Sequence, residues 1–313
     1  MPGGSLRVVF MGTPHFAVPS LEALASTHEV ALVVTRPDAV RGRGRALEAS
    51  PVKVCAIRLG LPVLEASRIT SSVVECVQDV APDMICVAAF GCILPDELLA
   101  VPTLDAINVH ASLLPRWRGA APIERAILAG DELQGVSIMR VAHDLDAGPW
   151  CRQASIPAGD KTATEIASEL ATLGASELIC AIEEIEAGTA VWHEQESELV
   201  TLAPKLSKKE MKLDPADDAL SLARRVRASG DTAPARCIIG GRAVRVCEAQ
   251  VAEVSTDELP AQGVASVDEG RLLLGCADGA IECLRVRPEG RREMDARAFV
   301  SGLRENELTW ERL

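Results

Sequence analysis

Short unbroken apolar runs, rich in β-branched residues, recur through the N-terminal part of the chain: LRVVFMG (6–12), VALVVT (30–35), MICVAAF (84–90) and AINVHAS (106–112). Runs of this length without polar alternation predict strands covered on both faces, and the helical periodicities between them predict crossover helices. The fold class is therefore α/β, a Rossmann-like doubly wound, mostly parallel sheet. Local chemistry supports the helix limits. Ser50–Pro51 reads as an N-cap and N1 pair with Gly60 as the stop, and Pro122 and Gly130 bracket PIERAILAG. Thr162 and Glu165 have the spacing of a capping box, opening a long helix that ends near Gly188.

Near Leu202 the pattern changes. LAPKLSKKEMKLDPADD (202–218) is a charged connector with two prolines, followed by the amphipathic ALSLARRVRAS (219–229). Beyond it, ARCIIGGRAVRVCEAQV (235–251) and GRLLLGCADGAIECLRVRP (270–288) read as strand, tight turn, strand, with Gly240–Gly241 and Asp278–Gly279 expected to supply the positive-φ positions of the turns. The expected organisation is a first domain over 1–204 and, over 205–313, a linker and a smaller C-terminal β-barrel, OB-like in type.

Composition narrows the classes. With 313 residues, 48% of them hydrophobic and 25% charged, the chain can bury a real core. No stretch approaches the roughly 18 apolar residues of a membrane span, and the N-terminus has no signal-peptide pattern, so a cytoplasmic protein with no membrane partner is expected. The 10 cysteines show no C-x-x-C pair and no zinc-ligand spacing, so they are expected to be small buried hydrophobes, with no metal site. The net charge of −13 argues against a polyanionic partner. Its distribution weakens that argument: residues 1–204 hold 14 Lys+Arg against 26 Asp+Glu, a net of −12, whereas 205–313 hold 18 against 19, a net of −1. Within the acidic part, TRPDAVRGRGR (35–45) gathers Arg36, Arg41, Arg43 and Arg45 against one Asp38.

The candidate chemistry lies in NVHASLLPRWRG (108–119). In a strand, residues i and i+2 share a face, so Asn108 and His110 present an amide and an imidazole side by side. In open parallel sheets, ligands gather beyond the carboxyl ends of the strands, which is where this segment leaves the sheet. An amide can donate to an oxygen that becomes negative in a tetrahedral intermediate, and an imidazole can move a proton. VSIMRVAHDLDAGPW (136–150) reads as another strand running into a turn, whose Asp146 or Asp144 could charge or orient His110.

FMGTPHFAVPSL, VTRPDAVRGRGRALEASPVK, FGCILP, NVHASLLPRWRGAAPIERAILAGD, LDAGP, APKLSKKEM and GRREMDARAFVSGLR together resemble the methionyl-tRNA formyltransferases, a family of folate-dependent formyltransferases, from about Leu6 to the C-terminus. The resemblance implies formyl transfer from 10-formyltetrahydrofolate to the α-amino group of methionyl initiator tRNA, with no metal. It carries the catalytic roles onto Asn108, His110 and Asp146, the last in preference to Asp144. It also implies folate contacts at Phe90, Gly91, Ile93, Ser112, Leu113, Leu114 and Pro115, and tRNA contacts at Arg41, Arg43, Arg45, Lys208 and Lys209; a monomer is expected.

The chain departs from the pattern where the family often has Tyr and this sequence has Phe90, and in the carboxylate at Asp144 beside Asp146. Rival readings are a formyltransferase acting on glycinamide ribonucleotide or on an amino sugar nucleotide, and a noncatalytic tRNA-binding protein. A nucleotide-dependent oxidoreductase is disfavoured, because FMGTPHFAVP lacks G-x-G-x-x-G spacing.

Overall fold

The computed structural model describes residues 4–40, 47–255, 259–303 and 307–313. Contacts divide the chain into two compact units. The first runs to Pro122 and adds Leu133–Pro157 and Ala167–Ala203; the second comprises Ile123–Glu132, Ala158–Ile166 and Pro204–Leu313.

A seven-stranded sheet organises the first unit. In chain order its elements are β1 (Arg7–Gly12), α1 (Val18–Thr27), β2 (Glu29–Thr35), α2 (Pro51–Arg58), β3 (Val63–Glu65), α3 (Ser71–Asp79), β4 (Met84–Ala88), α4 (Asp96–Leu99) and β5 (Asp105–His110). After α5 (Pro122–Ala129) come β6 (Leu133–Arg140), β7 (Trp150–Pro157) and α6 (Ala163–Glu186). The spatial order is β7-β6-β5-β4-β1-β2-β3. The five strands from β3 to β5 are parallel, as the continuous apolar runs predict, while β6 and β7 add an antiparallel edge. The strand β3 is only three residues long and carries no run that the hydrophobic pattern could flag.

Successive strand residues feed opposite cores. Val8, Phe10, Cys86, Ile107 and Val109 pack on one face with Leu178 and Ile182 of α6, while Val9, Met11, Ile85, Val87 and Ala106 pack on the other with Val73, Val74 and Val77 of α3. Burial on both faces removes the need for polar alternation. The helix caps form as their chemistry demands. Ser50 accepts from the Lys53 amide at 3.0 Å, the Thr162 amide donates to Glu165 at 2.8 Å, and the Glu165 amide donates to the Thr162 hydroxyl at 3.3 Å.

The second unit contains a closed antiparallel barrel. Its elements are α7 (Ala219–Arg227), β8 (Arg236–Ile239), β9 (Arg242–Val251), β10 (Val264–Asp268), β11 (Arg271–Gly275), β12 (Ala280–Pro288), α8 (Ala296–Val300) and β13 (Glu307–Arg312). Six strands run in the order β9-β8-β13-β10-β11-β12, and pairing of β9 with β12 closes the ring. Trp310 fills its centre, and its buried indole N–H donates to the Gly275 carbonyl at 2.8 Å. Within the same unit Arg125 of α5 donates to the Pro204 carbonyl at 2.9 Å and pairs with Glu210 at 2.9 Å.

The turns partly correct the sequence reading. Gly240 and Gly241 take φ +54° and +73° as expected, but Asp278–Gly279 closes its turn without a left-handed residue, through the Cys276 amide on the Gly279 carbonyl at 2.8 Å. A second positive-φ pair lies at Glu269 and Gly270, between β10 and β11. A bare Asp-Gly dipeptide permits the left-handed conformation but does not require it.

Candidate active site

Because β5 is central and parallel to β4, its carboxyl end opens beside that of β4, with Val109 opposite Ala88. Asn108 and His110 share the face that Ala106 presents, two residues apart. His110 is buried, and its Nε2 lies 3.0 Å from the Trp117 carbonyl oxygen. A carbonyl only accepts, so this nitrogen carries a proton. The other ring nitrogen, Nδ1, faces Asp146 Oδ2 at 3.7 Å, with the two side chains 6% and 15% exposed. The Asn108 side chain, half-buried, has no hydrogen-bond partner among the described residues.

Asp146 comes from the turn that ends a neighbouring strand. The antiparallel β6 ends opposite Ile107, and the loop after it brings Asp146 back to the imidazole. Its backbone takes φ +49°, which aims the carboxylate inward, where the Gly119 amide donates to Oδ2 at 2.8 Å. Asp144 is exposed, and no ion pair joins it to His110 among the described residues. The spacing of LDAGP leaves both carboxylates available; the fold brings in Asp146.

The SLLPRWRG segment is fixed from below and from outside. From below, the buried Ser137 of β6 accepts from the Leu114 amide at 3.0 Å and donates to the Ser112 carbonyl at 2.6 Å, while Gln153 donates to the Leu114 carbonyl at 2.8 Å. Ser112 and Leu114 are buried, Leu113 and Pro115 half-buried. From outside, residues 193–203 form a strap: the Arg118 amide donates to the Thr201 carbonyl at 2.9 Å, the Trp117 amide to the Thr201 hydroxyl at 2.9 Å, and the Ala120 amide to the Ala203 carbonyl at 2.9 Å. Nothing in the sequence flags this strap, whose partners stand some 80 positions earlier in the chain.

FGCILP follows β4 directly and so lies beside the end of β5. Phe90 turns into the hydrophobic core and is 2% exposed, so only its backbone can meet a ligand; its carbonyl accepts from the Thr13 hydroxyl at 3.4 Å. Gly91 is exposed, and its carbonyl accepts from Arg36 at 3.0 Å. Ile93 is 81% exposed, a bare aliphatic side chain in the loop that leaves the carboxyl end of β4.

Arg41, Arg43 and Arg45 lie outside the described residues. The short strands that flank them, Ala39–Val40 and Leu47–Glu48, pair antiparallel, and Lys53 pins their base by bonding Asp38 and Glu65, each at 2.8 Å. Lys208 and Lys209 are exposed in a turn of the second unit. Burial raises the Cys86 and Cys283 thiols well above the ordinary range and pushes Cys237 up to about 12.

Comparison with known proteins identifies the family. The family model "Formyl transferase" matches residues 6–182, and "Formyl transferase, C-terminal domain" matches 205–304. A methionyl-tRNA formyltransferase from Methylococcus capsulatus is 43% identical over 299 residues, 95% of this chain and 96% of its own length. One from Halorhodospira halophila is 43% identical over 301 residues, again 95% and 96% of the two chains. Among solved structures, HypX from Aquifex aeolicus in complex with tetrahydrofolic acid shares the fold at TM-score 0.66 and 19% identity, covering 96% of this chain; this chain spans about half of HypX, 47%. With family models matched across both halves and relatives above 40% identity along nearly its whole length, the chain belongs to the formyl transferase family, among the methionyl-tRNA formyltransferases.

Proposed function

We propose that this chain transfers a formyl group from 10-formyltetrahydrofolate to the free α-amino group of methionyl initiator tRNA, and that Asn108, His110 and Asp146 carry the transfer. The observation that carries the assignment is the Asn108 amide, without a hydrogen-bond partner among the described residues, two residues before an imidazole whose Nδ1 faces a half-buried carboxylate. When bound, the folate supplies a formyl carbon held on a nitrogen leaving group. The donor set suits it: an amide for the carbonyl oxygen, a titratable pair beside it, and the aliphatic Ile93 for an aromatic ring face.

The chain's own tasks are limited. An α-amine titrates at about 7.7–8, so a useful fraction of the nucleophile is neutral near pH 7 and no strong base is needed. Asn108 donates to the oxygen that gains charge as the amine adds. One proton must leave the attacking nitrogen and one must reach the departing nitrogen. His110 and Asp146 relay it, with the ring oriented by the Nε2 contact to Trp117. Gly91, Ile93, the backbone of Phe90, and the segment Ser112, Leu113, Leu114 and Pro115 hold the folate.

The catalytic role falls to 1–204, and 205–313 contributes tRNA contacts through Lys208 and Lys209. Arg41, Arg43 and Arg45 give a local positive patch on an acidic body, the charge pattern that grips a phosphate backbone. The test is formylation of charged initiator and elongator methionyl-tRNA with 10-formyltetrahydrofolate, with glycinamide ribonucleotide and an amino sugar nucleotide as competing acceptors. Formyl-methionine from the initiator substrate alone is expected; formylation of a competing acceptor with none of methionyl-tRNA overturns the reading.

A further inference from the structure

The loop that carries Asp146 needs an external clamp. A non-glycine residue at φ +49° sits in the left-handed region that L side chains seldom adopt, and persists where its surroundings hold it. Among the described residues the carboxylate accepts one hydrogen bond, from the Gly119 amide. What holds the backbone is a side chain 49 positions further along: Gln195 Nε2 donates to the Asp146 carbonyl at 2.9 Å and to the Gly148 carbonyl at 2.7 Å, spanning Ala147 between them. Its Oε1 accepts from Arg118 Nε at 2.8 Å. Arg118 immediately precedes Gly119, so a single amide fixes the turn that presents the carboxylate to the segment that hydrogen-bonds that carboxylate.

Gln195 is itself anchored. Two residues earlier, His193 and Trp150 exchange both backbone hydrogen bonds, at 2.9 and 3.1 Å, and their rings stack at 4.4 Å between centroids with 24° between planes. Residues 193–203, which include this anchor, fall between the two stretches matched by the family models.

We infer that Gln195 is a positioning residue for formyl transfer, setting the pose of the Asp146 carboxylate toward His110 through the two carbonyls it ties and the arginine it receives. The task needs an amide: two N–H donors for two carbonyls and one acceptor for a guanidinium. Glutamate has the same shape but would set an anion against both carbonyls, and asparagine is one methylene short. The inference rests on the catalytic reading of Asp146.

The test is a double-mutant cycle in single-turnover formylation of methionyl initiator tRNA, using Gln195→Ala, Gln195→Glu, Asp146→Ala and the double variant Gln195→Ala with Asp146→Ala. A carboxylate displaced by about 1 Å loses on the order of 10²-fold in rate, so both Gln195 variants should lower kcat by roughly tenfold to a hundredfold. KM for folate and for tRNA should stay within about twofold of wild type, because neither substrate's contacts change. In the Asp146→Ala background, Gln195→Ala should cost nothing further. Near-UV circular dichroism of each variant separates mispositioning from unfolding, and the isosteric Gln195→Glu keeps the cycle usable where the alanine variant melts. A slow Asp146→Ala enzyme with both Gln195 variants at full rate, or with additive losses, overturns the role of Gln195 alone. An Asp146→Ala enzyme at wild-type rate overturns the catalytic reading and this inference with it.

Discussion

Gly119 is the backbone position on which the carboxylate depends, and Gly119→Ala tests that dependence directly. Its φ of +124° lies beyond the left-handed well that other residues visit, in a region essentially restricted to glycine. An added Cβ would stand 2.9 Å from the Ala203 carbonyl oxygen, a backbone atom held by the strap and unable to rotate aside. The local cost is on the order of 1–3 kcal/mol, which the loop relieves by shifting. A shift of a few tenths of an ångström lengthens the 2.8 Å bond from the Gly119 amide to Asp146. A hydrogen bond to a charged group is worth about 1.5–3 kcal/mol, so its loss corresponds to roughly a 10- to 150-fold fall in the chemical step if the carboxylate then turns from His110. The assay is single-turnover formylation with saturating folate and tRNA, alongside a thermal melt. A Gly119→Ala enzyme that melts lower but keeps its rate within about twofold would refute the link between this amide and the chemistry.

Other outcomes follow from the same structure. Asp146→Ala should slow single-turnover formylation on the scale of Asn108→Ala, about 10²- to 10³-fold, whereas the exposed Asp144→Ala should be much milder; the reverse ranking would reassign the carboxylate. Arg43→Ala should lower kcat/KM for initiator tRNA and flatten its dependence on salt, with folate binding unchanged; wild-type values for a variant lacking Arg41, Arg43 and Arg45 together would place the tRNA footprint elsewhere. Iodoacetamide at pH 8 should label the exposed Cys76 and spare Cys86, Cys237 and Cys283, whose thiols burial holds protonated; peptide mass spectrometry of the native protein reads the outcome. On the barrel, Arg271 hydrogen-bonds Glu282 and holds its carboxyl below the ordinary range. A depressed carboxylate contributes stability that is present above its unfolded value of about 4.3 and lost as pH falls through the lower folded value, so Glu282→Gln should flatten the acid limb of the melting profile without changing formylation.

What the sequence determined by itself is local. Strands buried on both faces announce themselves as unbroken apolar runs, and a cap such as Ser50–Pro51 or Thr162 with Glu165 is made by residues within a turn of each other. Asn108 and His110 were legible for the same reason, since a two-residue period puts them on one face. The partner of His110 was not legible from spacing, to which Asp144 and Asp146 are equivalent; the resemblance alone chose Asp146, and in the structure the return of the loop after an antiparallel β6 exposes Asp144 and brings Asp146 to 3.7 Å. Phe90 ends an apolar run in the sequence, yet the packing turns its ring into the core and leaves only its backbone for a ligand. Gln195 and Thr201 left no trace in the pattern, because a glutamine in a polar stretch is ordinary until its amide meets carbonyls 47 and 49 positions away. Such contacts depend on where the whole chain closes on itself, and no window of neighbouring residues contains that information.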